Sequence, residues 1–148
     1  MKADTIWNNL VTTLKAPSLS YMKYVYEGIR DNFEELAYPH IQLEPVSDGE
    51  IANQMNNVDN VYLALNLYSF SSNNYSDFKK PIVGDELYKG ILGINNDIRA
   101  VLKDSYSLGG TVIEVRPQTS QFDTLPIKYP VRGLVMPLRI LYRQTDGV

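Results

Sequence analysis

Residues 85–110, DELYKGILGINNDIRAVLKDSYSLGG, carry the pattern from which we interpret the rest of the chain. Apolar side chains recur there every three or four residues, which places them on one face of a helix: Leu87, Ile91, Ile94, Ile98, Val101 and Leu102. Gly90 and Gly93 each cost about 1 kcal/mol relative to alanine inside a helix, so we expect a backbone or a bulky side chain to pack closely at both. The segment Leu108-Gly109-Gly110 is expected to end the helix, because glycine readily adopts the left-handed conformation.

The composition excludes several classes of protein. The chain has 148 residues, which suits one domain with a substantial core. It contains no cysteine and one histidine, which excludes a disulfide framework, a thiolate metal site, a histidine-based triad and a multi-histidine metal site. No apolar run approaches the ~18 residues of a membrane-spanning helix, and the N-terminal residues lack a signal-peptide pattern. We therefore expect the protein to be made and kept in the cytoplasm.

Charge is unevenly distributed along the chain. Residues 1–59 hold four Lys/Arg and nine Asp/Glu, a net charge of −5, whereas residues 60–148 hold ten and eight, a net charge of +2. One interpretation is two differently solvated surfaces. The other is an acidic face that meets a basic face on a neighbouring copy. No basic cluster is dense enough to indicate sequence-specific nucleic-acid binding.

The first third of the chain contains two helical patterns. A short helix is predicted over about residues 5–14, and a second over residues 22–36, where apolar residues recur at spacings of three and four. The second helix must end before Pro39, because the residue preceding a proline is displaced from helical geometry. The pattern then predicts a short strand at 40–45, a turn at 47–50 and a loop at 53–60.

Residues 61–70 have the clearest strand pattern. One face carries Val61, Leu63, Leu65 and Leu67, and we expect this leucine-rich face to lie under the 85–103 helix. The other face carries Tyr62, Tyr68 and Phe70 and is expected to meet either solvent or a partner. A polar loop is predicted next, over residues 71–81.

Two further strands follow the helix, at 111–116 and 131–143, and we expect them to pair antiparallel across the polar loop 117–130. Loops of that length are often functional or mobile. Pro137 cannot donate a backbone hydrogen bond, which predicts an edge or a bulge at that position. Together the elements predict one α+β domain over residues 1–148, with a mostly antiparallel four-stranded sheet and helices packed on one face.

Few residues suggest chemistry. His40 follows Pro39 at the start of a strand and is predicted to be a surface residue rather than a general base. Asp48 and Glu50 flank Gly49, but three residues are far fewer than a calcium-binding loop requires. We therefore predict no catalytic, cofactor-binding or metal-binding residue and do not expect an enzyme. An arrangement of Lys, Tyr and Asp side chains brought together only by the fold remains the alternative.

Local patterns in their order along the chain point to a known family. They are IRDNF at residues 29–33, VYLALNLY at 61–68, IRAVL at 98–102, LGG at 108–110 and LRILYR at 138–143. With them the chain resembles the tail terminator family of long-tailed bacteriophages, also called tail-to-head joining proteins. The similarity extends over nearly the whole chain, while the helix at about 5–14 and the 117–130 loop are elaborations of it.

The resemblance implies a structural role. Such proteins are α+β subunits that assemble into a six-membered ring on the finished tail tube, end its polymerisation and present a surface to the head connector. DNA passes through the lumen without being read. The implied partners are further copies of the chain, the tail tube protein and the head connector, with no cofactor, metal or membrane. The implied location is the head–tail junction of the virion, after assembly in the host cytoplasm.

A candidate interface follows from the charge distribution and the aromatic strand face. It consists of Glu34, Glu35, Tyr62, Tyr68, Phe70, Arg116, Arg139 and Arg143. If the acidic residues meet the arginines of a neighbour, the contact is head-to-tail and must either close into a ring or grow. Two alternatives stay open: a neighbouring head–tail connector or tail-completion protein, and, from a different class, a small-ligand-binding or enzymatic α+β domain.

Overall fold

The computed structural model describes residues 3–52, 59–72, 80–122 and 131–144. Its helices are α1 (Ala3–Thr13), α2 (Lys80–Val83) and α3 (Ile91–Asp104), with 3₁₀ turns at Pro17–Leu19 and Phe33–Glu35. Its strands are β1 (Tyr24–Glu27), β2 (His40–Ile51), β3 (Asn60–Phe70), β4 (Glu114–Pro117), β5 (Gln121–Phe122) and β6 (Gly133–Arg143). The short N-terminal helix is therefore confirmed.

The described strands form one mixed sheet in the order β1-β2-β3-β6-β4, and β5 also pairs with β6. β1 and β2 run parallel, and the other pairs are antiparallel. The α+β class is thus confirmed, and so is the antiparallel pairing of β4 with β6. The prediction of a four-stranded sheet is wrong, because the sheet has six strands and one parallel pair.

The helix predicted over residues 22–36 is wrong: strand β1 and the 3₁₀ turn at Phe33–Glu35 occupy this segment, joined by residues without regular secondary structure. Val25 is buried, as that helix would require, but Ile29 is 49% exposed and does not belong to an apolar stripe. Gly28 has a φ of 92°, outside helical geometry, and its N–H donates to the Leu43 carbonyl at 2.7 Å. Pairing with β2 therefore outweighs the local helical spacing.

The core lies between the sheet and helices α1 and α3. The leucine-rich face of β3 packs there with Ile98 and Leu102 of α3, as predicted, and with Ile6 and Leu10 of α1. Strand β6 adds its even-numbered residues, Leu134, Met136, Leu138, Ile140 and Tyr142, all of them buried. Period-two alternation in β3 and β6 thus supplies one continuous apolar layer for both helices.

Helix α3 begins later than the pattern predicted. Residues 85–90 form a turn in front of it, and Leu87, expected on the buried face, is 82% exposed. A Cβ on Gly90 would lie 2.4 Å from both Gly84 N and the Ile82 carbonyl oxygen, so close backbone packing is confirmed there. The expectation of close packing is wrong at Gly93, where an added Cβ would meet only the Lys89 side chain at 3.6 Å.

Strand β2 continues through the turn that was predicted at residues 47–50. Two shifts in its register with β3, between Pro45 and Ser47 and between Asp48 and Glu50, accommodate the extra residues as irregularities of the strand. Gly49, with a φ of 98°, sits within the second. Most of the predicted 53–60 loop lies outside the described residues, as do residues 73–79 of the predicted 71–81 loop.

Pro137 lies within β6, an interior strand, and its pairing with Asn66 on the β3 side shows no register shift. On the other side its carbonyl oxygen accepts a hydrogen bond from Gln118 N at 2.8 Å. There β4 pairs as far as Pro117–Leu138 and β5 resumes at Gln121–Val135, so residues 118–120 lie opposite only residues 136–137 and the predicted bulge is confirmed on the facing strand. The predicted 117–130 loop therefore contains a short paired strand, and its residues 123–130 lie outside the described part.

Candidate functional site

The side of the sheet away from α1 and α3 carries four of the eight predicted interface residues: Tyr62, Tyr68, Arg116 and Arg139. We call it the open face. Cross-strand register places on it Glu50, Tyr62, Ala64, Asn66, Tyr68, Arg116, Val135, Pro137 and Arg139. The β3, β4 and β6 residues of this set are only half-buried, in contrast to the buried residues of the opposite face. A half-polar sheet face of this kind can meet either solvent or another surface.

Tyr62 is the centre of a cation–π arrangement on this face. The Arg139 guanidinium carbon lies 4.1 Å from the centroid of its ring, and that of Arg116 lies 5.9 Å from it. Arg116 Nη1 also donates a hydrogen bond to the Tyr62 hydroxyl at 2.9 Å. The pairing of Arg139 with both Ala64 and Arg116 explains why the three side chains meet. Each such contact contributes about 0.5–1 kcal/mol at an exposed site.

Both arginines are also bonded to carboxylates of their own subunit. Arg139 Nη2 donates to Glu50 Oε2 at 2.6 Å, and Arg116 forms an ion pair with Glu114. The hydrogen bond with Glu114 raises the pKa of Arg116 above its ordinary value. Pairing of these two arginines with Glu34 or Glu35 of a neighbour would therefore have to displace an existing partner. Arg143, at the end of β6, is exposed.

Phe70 is not on the surface. It is fully buried, and its ring centroid lies 5.6 Å from that of Phe33 and 4.9 Å from that of His40. Its place in the predicted interface is therefore corrected: it packs inside the subunit. Tyr68 is half-buried and accepts a hydrogen bond from Asn66 Nδ2 at 3.4 Å.

Residues 28–39 cover Phe70 and one end of the open face, and we call them the strap. Side chains of the sheet hold the strap by its backbone: Arg30 N donates to Gln42 Oε1 at 2.9 Å and Ile29 N to Glu44 Oε2 at 3.1 Å. Glu35 is exposed on the strap and accepts a hydrogen bond from Asn32 Nδ2 at 3.1 Å. The side chain of Glu34 lies outside the described part of the structure.

His40 is buried, and its ring binds the backbone at the end of the strap. The prediction that it is a surface residue is therefore wrong. The Ala37 carbonyl, 2.7 Å from Nδ1, can only accept, which places the proton on Nδ1. The second ring nitrogen, Nε2, then accepts from Gln42 Nε2 at 2.9 Å. Burial disfavours the charged ring and lowers the pKa of His40 to about 4.

Sequence reasoning missed Glu50 and Glu114, which compensate the arginines of the open face. Glu114 alternates with Arg116 on one strand face, a local signal that could have indicated a pair. No such signal identified Glu50, because the sequence pattern predicted a turn at this position. Glu50 reaches Arg139 only because β2 extends to Ile51. Within the described ranges, no group of three or more His, Asp or Glu side chains could hold a metal ion. None of the helices in those ranges has the length and hydrophobicity required to span a membrane.

A scan against protein-family models gives no match for this chain, and a search of curated proteins gives no significant match either.

Proposed function

We propose that this chain is a structural subunit of a phage tail that caps the tail tube as a ring, ends tube polymerisation and forms the joint to the head connector. The proposal rests on the family resemblance of the sequence. In this proposal the subunits form a homo-hexamer, the tail tube protein and the head connector are the partners, and DNA passes through the lumen unread. No cofactor or catalytic step is required. The assembled ring would lie at the head–tail junction after assembly in the host cytoplasm.

The observation that supports this proposal best is the open face. A sheet with helices on one side and a half-buried layer of tyrosine, proline, valine and arginine on the other has a broad surface available for assembly. Tyrosine and arginine are enriched at protein interfaces, because both combine apolar area with hydrogen-bonding groups. In a head-to-tail ring, the open face of each subunit would contact a different surface of the next.

Capping of tail tubes tests the proposal. Purified protein is mixed with tail tubes and growing tube protein, and electron microscopy measures the fraction of capped ends and the distribution of tube lengths. We expect the wild-type protein to bind tube ends and to narrow the length distribution. Failure to bind ends or limit length at any salt concentration would overturn the terminator function.

Two variants connect this activity to the open face. Tyr68→Ala removes a half-buried ring from this face, and Arg143→Glu reverses the exposed charge where the same alternation reaches the end of β6. Each should lower capping about tenfold for every ~1.4 kcal/mol of lost contact energy. The matched control is Lys103→Glu, a charge reversal at an exposed position of α3 on the other side of the sheet. Equal capping by all three variants would remove the open face from the interface.

A further inference from the structure

Three exposed apolar side chains lie just before α3 and at its start. Leu87 is 82% exposed, Val83 57% and Leu92 44%. The close approach of Gly84 and Gly90 brings the two ends of the intervening turn together. We call residues 82–92 the knuckle. Its tip presents Leu87 beside the exposed side chains of Asp85 and Glu86.

Local hydrogen bonds hold the tip of the knuckle in one conformation. Asp85 Oδ1 accepts from Leu87 N at 2.8 Å and from Tyr88 N at 2.9 Å, and Asp85 N donates to the Tyr88 carbonyl at 2.9 Å. The bonds to Tyr88 and Leu87 lower the pKa of Asp85, so its carboxylate stays charged at neutral pH. The backbone at Leu87 is therefore held in one conformation next to negative charge, and binding this apolar projection would cost little backbone ordering entropy.

A second feature has the complementary charge and an apolar lining. A cleft of about 280 Å³ is lined by the apolar side chains of Leu14, Leu19, Met22 and Val25, together with Lys15, Ser20, Lys23 and Tyr24. Leu14, Leu19 and Val25 belong to the core, whereas Lys15 and Lys23 are exposed. We call it the basic cleft. It combines an apolar floor with two cations.

The knuckle and the basic cleft lie side by side. Lys23 lines the basic cleft and also lines a second cleft, whose opposite wall is formed by residues 85–89 of the knuckle. Asp97 connects the knuckle to Tyr21, which also lines the second cleft: one carboxylate oxygen of Asp97 accepts from the Tyr21 hydroxyl at 2.8 Å and pairs with Lys89 Nζ at 3.4 Å. The distance between projection and cleft is therefore set by the fold.

We propose that two copies of this chain associate about a two-fold axis, with Leu87 of each knuckle inserted into the basic cleft of the other copy. Because the projection and the cleft lie side by side on one surface, an isologous pair allows both to be occupied at once by a single neighbour, so that the contact occurs twice. Asp85 and Glu86 then face Lys15 and Lys23. Lys80 lies near Asp85 and offsets part of this attraction, whereas Lys89 is already paired with Asp97.

This contact is separate from the proposed ring. The basic cleft opens among core residues between α1 and β1, on the helix side of the sheet, and the pairing leaves the open face uncovered. Variants of the two surfaces should therefore have different effects. Arg143→Glu should leave the two-fold pair intact, and a loss of pairing by knuckle variants should occur in protein that has never met a tail tube.

Sedimentation equilibrium of the purified chain tests the pairing. We expect a monomer–dimer equilibrium that is strengthened at low salt. Leu87→Asp should weaken it about a hundredfold or more, because the two-fold contact loses two buried leucines at once. Ile51→Asp is the matched control, since Ile51 is an equally apolar residue, 59% exposed on β2, and it should leave the equilibrium unchanged. A chain that stays monomeric at every accessible concentration would overturn the proposal.

Crosslinking tests the position of the contact. The chain has no cysteine, so single cysteines introduced by substitution react without background. Protein carrying Leu87→Cys is mixed with protein carrying Met22→Cys and oxidised with copper phenanthroline. We expect a mixed disulfide-linked dimer to form faster than in the control mixture of Leu87→Cys with Ile51→Cys. Equal rates in the two mixtures would show that the knuckle does not enter the basic cleft, even if the chain dimerises.

Discussion

His40 allows a direct measurement of how firmly the strap is held to the sheet. It is the only histidine in the chain, so every imidazole titration belongs to it. Its pKa is lowered from 6.5 to about 4 in the folded protein. Between those values the unfolded chain binds more protons than the folded one. Stability is therefore complete above pH 6.5 and falls as the pH decreases towards 4.

The magnitude follows from the size of the pKa difference. One pKa unit corresponds to about 1.4 kcal/mol, so the full titration costs about 3 kcal/mol of unfolding free energy. About 2 kcal/mol of it should appear between about pH 7.5 and about pH 5, before most carboxylates titrate. Such a loss is a large fraction of the ~5–15 kcal/mol that stabilises a domain of this size.

Urea unfolding followed by circular dichroism at several pH values measures this loss. The matched variant is His40→Gln, which has no titratable group in this range but keeps a donor for the Ala37 carbonyl and an acceptor for Gln42. We expect it to be less stable than wild type at neutral pH and to lose far less stability on acidification. Proton NMR of the single imidazole provides the second measurement. A titration midpoint near 6.5, or identical pH dependence in the two proteins, would refute the buried neutral ring.

Three substitutions test the packing of α3. Ile98→Ala removes a fully buried side chain and should cost about 2–5 kcal/mol, against less than ~0.5 kcal/mol for the exposed Lys103→Ala. Gly90→Ala should destabilise by about 1–3 kcal/mol, because its Cβ would meet backbone atoms. Gly93→Ala should instead stabilise by up to ~1 kcal/mol, since only a flexible side chain is near. Thermal unfolding measures all of them, and equal effects at the two glycines would contradict the late start of the helix.

Elements with a strict local period could be predicted from the sequence. Burial alternates over residues 61–69 of β3 and 134–140 of β6, and apart from Ser69 the buried positions there are the apolar ones that the pattern predicted. The central part of α3 follows its helical period equally well. These patterns are local because burial on one face constrains every second residue of a strand, or every third to fourth residue of a helix. Elements of this kind can therefore be predicted without knowledge of their position within the sheet.

β1 shows why the other elements could not be predicted from the sequence. Residues 22–36 have apolar residues at helical spacing, and no local feature except Gly28 contradicts a helix. Residues 24–27 of this segment form a strand because residues 40–43 lie beside them, and from the sequence that parallel partner could be predicted only as a strand of unknown position. The extension of β2 to Ile51 has the same cause, since pairing with β3 stabilises a segment that contains Pro45 and Gly49.

The prediction of the candidate interface from the sequence was less accurate than the prediction of the fold. Charge counts along the chain suggested that an acidic half of one copy meets a basic half of the next. In the structure, Glu50 from the acidic half already binds Arg139 from the basic half of the same subunit, and Arg116 is paired with Glu114. A count of charges cannot distinguish pairing within a subunit from pairing between subunits, because both give the same totals.

Because these charges are already paired within one subunit, we expect interactions other than ion pairs to stabilise the proposed ring. With Arg116 and Arg139 already paired, the open face is close to neutral around Tyr62, and exposed ion pairs of this kind contribute little across an interface. Most of the association energy should then come from burial of the Tyr62, Tyr68 and Pro137 surface, which salt does not screen. Tube capping should consequently depend weakly on ionic strength, with Arg143 as the main source of any decrease. A steep loss of capping at moderate salt that persists in Arg143→Glu would show that other charged surfaces carry the contact.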